Sequence, residues 1–215
     1  METYIEIGNI TVNEPVTMLT DLVAAAVSFY AFAKTSSKGR PRSVFYFKYF
    51  FLLMALATTY GGIIGHGLIH YLSQPYKIPG WVLSMFSIML IERGAIMHSS
   101  PLMKPIVGNI FAFANIVELT LLLIVVLLTV NFFYVEAHGA YGLMVVVFSL
   151  ELFVYLKTKS QASALLLTAV FFAFISAIIH LGKISPHVWF NHIDLSHVLM
   201  AVSMWYVYCG VKEIK

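Results

Sequence analysis

Carboxylates, hydroxyls and imidazoles occur at helical spacing within stretches of this sequence that are otherwise apolar. Glu14, Thr17 and Asp21 stand at positions i, i+3 and i+7 and would project from one face of a helix. His66 and His70, four residues apart in the next apolar stretch, would also share a face. An ionisable side chain inside a membrane span costs about 2.5–3.5 kcal/mol, so these stripes indicate a functional site.

A second group of such residues lies near the C-terminal end of the chain. Ser176 and His180 are four residues apart at the end of one apolar stretch, and the next stretch begins with Asn191, His192, Asp194 and His197. Because short connections make neighbouring helices antiparallel, all of these stripes fall on the same side of a bundle. Helix packing alone does not require such a concentration of imidazole and carboxylate.

A zinc site is the first chemistry that these residues suggest. Imidazole is the commonest metal ligand, and catalytic zinc uses three protein ligands and one open position for water. We expect His66, His192 and His197 to be the ligands, with Asp21 or Asp194 as orienting group or general base. His192 and His197 are five residues apart, about 140° around an ideal helix, so they converge only if His192 lies on an irregular entry to the helix.

Two other chemistries remain open from the residues alone. A haem could lie between two histidines, but a transmembrane electron carrier would use a second haem on the other side, where only His98 is placed. A proton or ion pathway could instead use Asp21, Glu118 and Glu151 together with the histidines.

The elements that must position these residues are transmembrane helices. The chain has 215 residues, of which 60% are hydrophobic and only 11% charged. A soluble domain carries about 25% charged residues. A soluble chain this poor in charge could not cover its surface with polar groups, so lipid must surround most of it. Its lysines and arginines form no run suited to nucleic acid.

Seven apolar stretches are long enough to cross a bilayer, which takes about 20 residues. They are separated by loop-forming segments, and the weakest break is at 134–140. The predicted spans are about 15–34, 46–72, 81–99, 106–133, 139–157, 162–182 and 191–211. Small residues on the second span would let a neighbouring helix approach closely; they are Ala55, Ala57, Gly61, Gly62, Gly65 and Gly67.

The distribution of basic residues predicts the orientation. With seven spans, eleven lysines and arginines fall on one side and only Lys77 and Lys183 on the other. Positive charges favour the cytoplasmic side. We therefore predict an all-α, single-domain bundle of seven transmembrane helices over residues 1–215, with the N-terminus outside and the C-terminus in the cytoplasm. The expected location is the plasma membrane or a bacterial inner membrane.

The span count and the three histidines resemble a superfamily of seven-span membrane hydrolases that includes alkaline ceramidases and the progestin and adiponectin receptors. The chain also resembles an uncharacterised seven-span family with three motifs, which here are Glu14-Pro15-Val16-Thr17-Met18-Leu19-Thr20-Asp21, Gly61-Gly62 before His66-Gly67, and Asn191-His192 before Leu195 and His197. In the hydrolases the three histidines hold a zinc ion that activates water against a lipid amide.

Three positions depart from the hydrolase pattern. Gly62 stands where the hydrolases have a serine, Glu92 lies too far inward for their aspartate on span three, and their histidines on span seven are four rather than five apart. If the chemistry is the same, Asp21 or Asp194 replaces the missing aspartate, and Thr59 is a poor substitute for the serine.

The resemblance implies a zinc-dependent hydrolase acting on a lipid amide or ester near the outer leaflet. Its metal ligands would be His66, His192 and His197, with Asp21 and Asp194 as catalytic residues. Residues expected to contact the substrate are Glu14, Thr59, His70, His180 and Asn191. The alternatives are a non-enzymatic ligand-binding or sensory protein and a proton or ion transporter.

Overall fold

The structure, a computed structural model, describes residues 3–215 and is built almost entirely from helices. Seven long helical segments follow one another in this part of the chain. They are α1 (Pro15–Lys34), α2 (Arg42–Tyr60) continued by a π-helix (Gly61–Gly67), α3 (Ile78–Ser99), α4 (Pro105–Thr129), α5 (Phe133–Ala140) joined to α6 (Phe148–Thr158) by a second π-helix (Tyr141–Val147), α7 (Gln161–Leu181) and α8 (His192–Glu213).

These segments overlap the seven predicted spans, but boundaries of the second, fourth and fifth differ from the prediction by four to six residues. The fourth helix ends at Thr129, and the fifth begins at Phe133. Val130 adopts a left-handed backbone that terminates α4. Residues 134–140, which we expected to be the break, are therefore helical. We placed the break there because Glu136 and His138 are polar, but both lie within α5.

An N-terminal hairpin precedes the bundle and was not foreseen from the sequence. Strands β1 (Tyr4–Ile7) and β2 (Ile10–Asn13) pair antiparallel. The Thr11 N–H donates to the Tyr71 hydroxyl at 2.8 Å, which ties the hairpin to the chain just beyond the first π-helix. The hairpin therefore lies at the end of the bundle where α1 begins, which we call the N-terminal face.

Six of the long segments form a closed ring. Going round, α1 packs on α2, α2 on α3, α3 on the α5–α6 segment, α6 on α7, α7 on α8, and α8 returns to α1. Helix α4 lies outside this ring against α3 and α5. In the most apolar stretch of α4 only 17% of the residues are buried within the protein. The corresponding share is 39–56% in the other five apolar helices.

Six helical segments of residues 3–215 are long and apolar enough to cross a membrane, and α8 is not among them. The first two turns of α8 carry His192, Asp194 and His197, which make this helix more polar. The protein is thus a helical membrane protein, and the polar start of α8 is explained by the site that it helps to build.

Candidate metal centre at the N-terminal face

Asp21 on α1, His66 on the first π-helix and His197 on α8 converge inside the ring. Each offers one ligand atom, and these atoms all lie within 4.8 Å of one another. Asp21 Oδ2 is 3.8 Å from His66 Nε2, and Asp21 Oδ1 is 3.5 Å from His197 Nδ1. Asp21 is only 6% exposed. We call these three residues the outer cluster.

Glycines of the π-helix allow α1 to approach closely enough to bring Asp21 into the outer cluster. A Cβ added at Gly62 would lie 2.9 Å from the Asp21 Cβ and 3.1 Å from the Met18 carbonyl oxygen. A Cβ at Gly67 would lie 2.6 Å from the Met18 sulfur. The predicted role of small residues on this helix is thus supported at Gly62 and Gly67. π-Helical turns are rare and often occur at functional sites, and this one contains His66.

Glu14 fixes the orientation of His66. Glu14 Oε2 lies 2.6 Å from His66 Nδ1, and the contact holds the pKa of Glu14 below its usual value although burial acts in the opposite direction. An ionised Glu14 accepts the proton of Nδ1–H, so the neutral imidazole turns its Nε2 lone pair towards Asp21. Metal-binding histidines commonly donate their other N–H to a carboxylate in this way.

The backbone of Glu14 supports the same interpretation. Glu14 is in the left-handed region with φ 41°, which is uncommon for a residue with a side chain. It stands at the N-cap of α1, yet its side chain makes no capping hydrogen bond and contacts His66 instead. Strain of this kind persists where the surrounding structure holds it in place, often at functional sites.

The donor set of the outer cluster fits a zinc ion. Ligands of a tetrahedral zinc at about 2.0–2.1 Å stand roughly 3.4 Å from one another. The two Asp21 oxygens lie 3.8 Å from His66 and 3.5 Å from His197, and with one ligand atom taken from each residue all separations are within 4.8 Å, so the three side chains would have to draw together around an ion. Two imidazoles and one carboxylate also leave the fourth position open, as in catalytic rather than structural zinc sites.

The outer cluster opens onto a large cavity inside the ring, of about 570 Å³. All six segments of the ring contribute to its wall, and α4 does not. Its deeper wall is apolar and includes Ala24, Met54, Ile88, Leu143 and Met204. The volume lies within the range of small-molecule sites, which are mostly apolar with a few polar groups.

His192 does not join the outer cluster, contrary to the expectation that it is a metal ligand. It is the first residue of a regular α8, and its Nδ1 is 3.2 Å from the Ser185 hydroxyl. Its ring lies beside that of His180, with centroids 5.6 Å apart. Because His192 is already part of the regular helix, the five-residue separation turns it away from His197. Asp21 lies beside His66 and His197 instead.

Asp194, expected to be a catalytic residue, caps α8 and contacts α1 in the structure. Its Oδ2 accepts from the Asn191 backbone N–H at 2.6 Å, and the Asn191 side chain accepts from Ile193 N–H, forming a capping box. Its Oδ1 accepts from the Thr17 hydroxyl at 2.6 Å. Asp194 thereby fixes α8 against α1, which places His197 opposite Asp21.

The residues expected to contact substrate are dispersed. His180 lines the cavity, while Glu14 is hydrogen-bonded to His66. Thr59 donates its hydroxyl to the Ala55 carbonyl at 2.7 Å, and the exposed His70 packs against Tyr71. Neither of these two lines the cavity, nor does Asn191.

Other polar residues at the cavity mouth were missed. Glu136 Oε1 lies 2.9 Å from His180 Nε2, and Gln74 and Lys77 line the same wall. Glu136 was hidden because it was assigned to a loop. In the structure Glu136 lies in the first turn of α5, and its side chain reaches His180 on α7.

A family model described as a family of unknown function, DUF6962, matches residues 16–215 of the chain. No curated protein and no solved structure matches the chain.

Proposed function

The chain belongs to this family of unknown function, and from the geometry of the outer cluster we propose that the protein is a zinc-dependent membrane hydrolase. Asp21, His66 and His197 would hold the ion. The substrate would be a lipid amide or ester that enters the cavity from the N-terminal face, and with the N-terminus outside, this is the outer leaflet.

The observation that carries the proposal is the arrangement around His66. Its Nδ1 is hydrogen-bonded to Glu14 at 2.6 Å, its Nε2 lies 3.8 Å from Asp21 Oδ2, and its ring centroid is 6.0 Å from that of His197. Three potential ligands within 4.8 Å would be a costly coincidence in a membrane interior without an ion. A carboxylate behind a ligating histidine is the arrangement that orients the ring and raises its basicity.

The cavity supports the choice of a lipid substrate. A zinc ion with an open position lowers the pKa of bound water to about 7 and polarises a carbonyl. The apolar wall formed by Met54, Ile88 and Met204 suits an acyl chain, which would bring the polar linkage to the outer cluster. His180 and Glu136, paired at 2.9 Å across the same cavity, are titratable groups available for proton transfer to the leaving group.

The competing function is a non-enzymatic lipid-binding or sensory protein. The size and largely apolar wall of the cavity serve binding as well as catalysis. The two functions differ in whether bound lipid is cleaved, so a single experiment can compare them.

The experiment measures zinc and product release on the full chain purified in detergent. We expect the Asp21→Asn, His66→Gln and His197→Gln variants each to contain one zinc ion fewer per chain than the wild type. The matched control His192→Gln should keep the full content. The wild type should release fatty acid from a panel of lipid amides and esters, and His66→Gln should not.

Three results would overturn parts of this proposal. Unchanged zinc content in all three ligand variants would remove the metal site. Loss of zinc in His192→Gln but not in Asp21→Asn would restore the ligand set expected from sequence. Zinc with lipid that copurifies intact and is never cleaved would establish the binding protein instead.

A further inference from the structure

A second group of potential ligands lies between the ring and α4. Glu92 on α3, Glu118 on α4 and His138 on α5 each offer one ligand atom, and these atoms lie within 4.8 Å of one another. Glu92 and His138 are fully buried, and the Glu118 side chain is 17% exposed. We call these three residues the inner cluster. None of them lines the cavity, so this group is separate from the outer cluster.

Both carboxylates of the inner cluster have a buried oxygen without a hydrogen-bond partner among residues 3–215. These atoms are Glu92 Oε1 and Glu118 Oε2. The other oxygens are used, because Glu92 Oε2 accepts from Asn115 Nδ2 at 2.9 Å and Glu118 Oε1 lies 2.8 Å from His138 Nδ1. Buried polar atoms are nearly always paired, so two unpaired carboxylate oxygens at one place require an explanation.

Arg93 does not neutralise Glu92, although the two are adjacent in sequence. The Arg93 guanidinium donates to Asn115 Oδ1 at 3.0 Å and to the Ala112 carbonyl at 2.6 Å. Asn115 therefore stands between Arg93 and Glu92 and is hydrogen-bonded to both. Among the described residues, the potential counterion in direct contact with the inner cluster is His138, which would neutralise one of the two carboxylates only if it were protonated.

The hydrogen bonds of His138 prepare it as a ligand. Its Nε2–H donates to the Met85 carbonyl at 2.9 Å, so in the neutral ring Nδ1 carries the lone pair. That lone pair faces the Glu118 carboxylate at 2.8 Å, and two lone pairs at this distance repel unless a cation or a proton lies with them. A ring N–H donated to a backbone carbonyl is a common support for a metal-binding histidine.

We propose that Glu92, Glu118 and His138 form a second site for a divalent transition-metal ion, which fastens α4 to the ring. One divalent cation balances the two carboxylates, which removes the cost of leaving them charged in the bundle. Two carboxylates and one imidazole form a ligand set that Mn²⁺ as well as Zn²⁺ accepts. The three residues come from three helices, one of which is the peripheral α4.

The packing around Glu92 agrees with a fixed ligand position. A Cβ added at Gly142, on the second π-helix, would collide with the Glu92 carboxylate and with the Ile88 side chain. The backbone of this π-helix thus holds the Glu92 carboxylate in place from one side, while Asn115 holds it from the other. Both clusters therefore adjoin a π-helix, as functional sites often do.

The test isolates the inner cluster in the full chain by removing the outer one. Protein carrying Asp21→Asn and His66→Gln is purified in detergent, stripped with a chelator and titrated with ZnSO₄ or MnCl₂ alone. We expect one ion per chain. Adding Glu118→Gln should abolish it or weaken its affinity about 100-fold or more, since even the loss of an outer-shell partner costs 10- to 100-fold. Adding the control His98→Gln, whose ring contacts Glu151 rather than the inner cluster, should not.

Two further readouts cover variants that fold poorly. In the double variant, MnCl₂ should raise the thermal midpoint, and the electron paramagnetic resonance spectrum of bound Mn²⁺ should show immobilised ion with nitrogen in its coordination shell. Absence of bound ion in the double variant would overturn the proposal and leave a proton shared between Glu118 and His138. Binding that survives Glu118→Gln and His138→Gln alike would also overturn it.

Discussion

Replacing Glu14 by glutamine tests the support that the structure gives to His66. The variant keeps the size of the side chain and an oxygen that accepts from Nδ1–H, but it removes the charge. The present contact is 2.6 Å long, and the two side chains are 22% and 23% exposed. Loss of such an outer-shell partner costs 10- to 100-fold in metal affinity.

The loss of zinc affinity in Glu14→Gln should lie at the lower end of that range. A hydrogen bond to a charged group contributes about 1.5–3 kcal/mol, and glutamine retains part of this interaction. Water reaches the pair and screens it. We therefore expect zinc affinity at the outer cluster to fall about 10- to 30-fold, which corresponds to about 1.4–2 kcal/mol.

The assay is a competition titration with a chromophoric zinc chelator on detergent-purified protein. The Glu118→Gln background removes the inner cluster, so only one affinity is measured. Glu6→Gln, an exposed carboxylate of the hairpin, is the control and should leave the affinity unchanged. An affinity for Glu14→Gln within twofold of the background would refute the role assigned to this carboxylate.

Two further predictions concern packing. Gly62→Ala should weaken zinc binding and lower the thermal midpoint in detergent, because its Cβ would lie 2.9 Å from that of Asp21. Gly65→Ala, whose Cβ meets nothing within 4 Å, is the matched control. Equal midpoints and affinities in the two variants would contradict the argument that α1 approaches the π-helix closely at Gly62. Arg40→Ala should destabilise the fold by about 1–3 kcal/mol in denaturant unfolding, because one Arg40 nitrogen donates to three carbonyls at the end of α8, at 2.6–3.0 Å. The exposed Lys38→Ala should change the unfolding free energy by less than about 0.5 kcal/mol, and equal losses in the two variants would show that the Arg40 bonds contribute nothing.

The helices were the most predictable feature of the molecule, because apolar runs of about 20 residues leave few alternatives. The stripe of Glu14, Thr17 and Asp21 was also predictable from helical spacing alone, and all three side chains point to the interface with the first π-helix or α8. Periodicity indicates which residues share a face, and here the polar faces had to turn inward from lipid.

The membership of the outer cluster was less predictable, because it depends on where each helix begins. A regular start at His192 turns that ring away from His197, whereas an irregular turn would have brought the two together. The capping box of Asn191 and Asp194 decides between these outcomes. From the sequence we expected Asn191 to contact substrate and Asp194 to be catalytic, whereas in the structure both cap α8.

The inner cluster was hidden for a different reason. From the sequence, Glu92 was compared only with the aspartate of the hydrolase pattern, and His138 fell in the predicted break at 134–140. In the structure Arg93 bonds to Asn115 and Ala112, while α5 begins at Phe133 and carries His138 into the bundle. Contacts between helices far apart in sequence depend on rotation about each helix axis, which a sequence pattern constrains only loosely.

The central claim is that Asp21, His66 and His197 hold one ion. Anomalous diffraction at the zinc absorption edge, from crystals of the zinc-loaded full chain, tests it most directly. The account predicts a peak about 2.0–2.2 Å from His66 Nε2, from a nitrogen of His197 and from a carboxylate oxygen of Asp21. A zinc-loaded crystal without a peak there, or with the ion held by His180 and His192 instead, would contradict it.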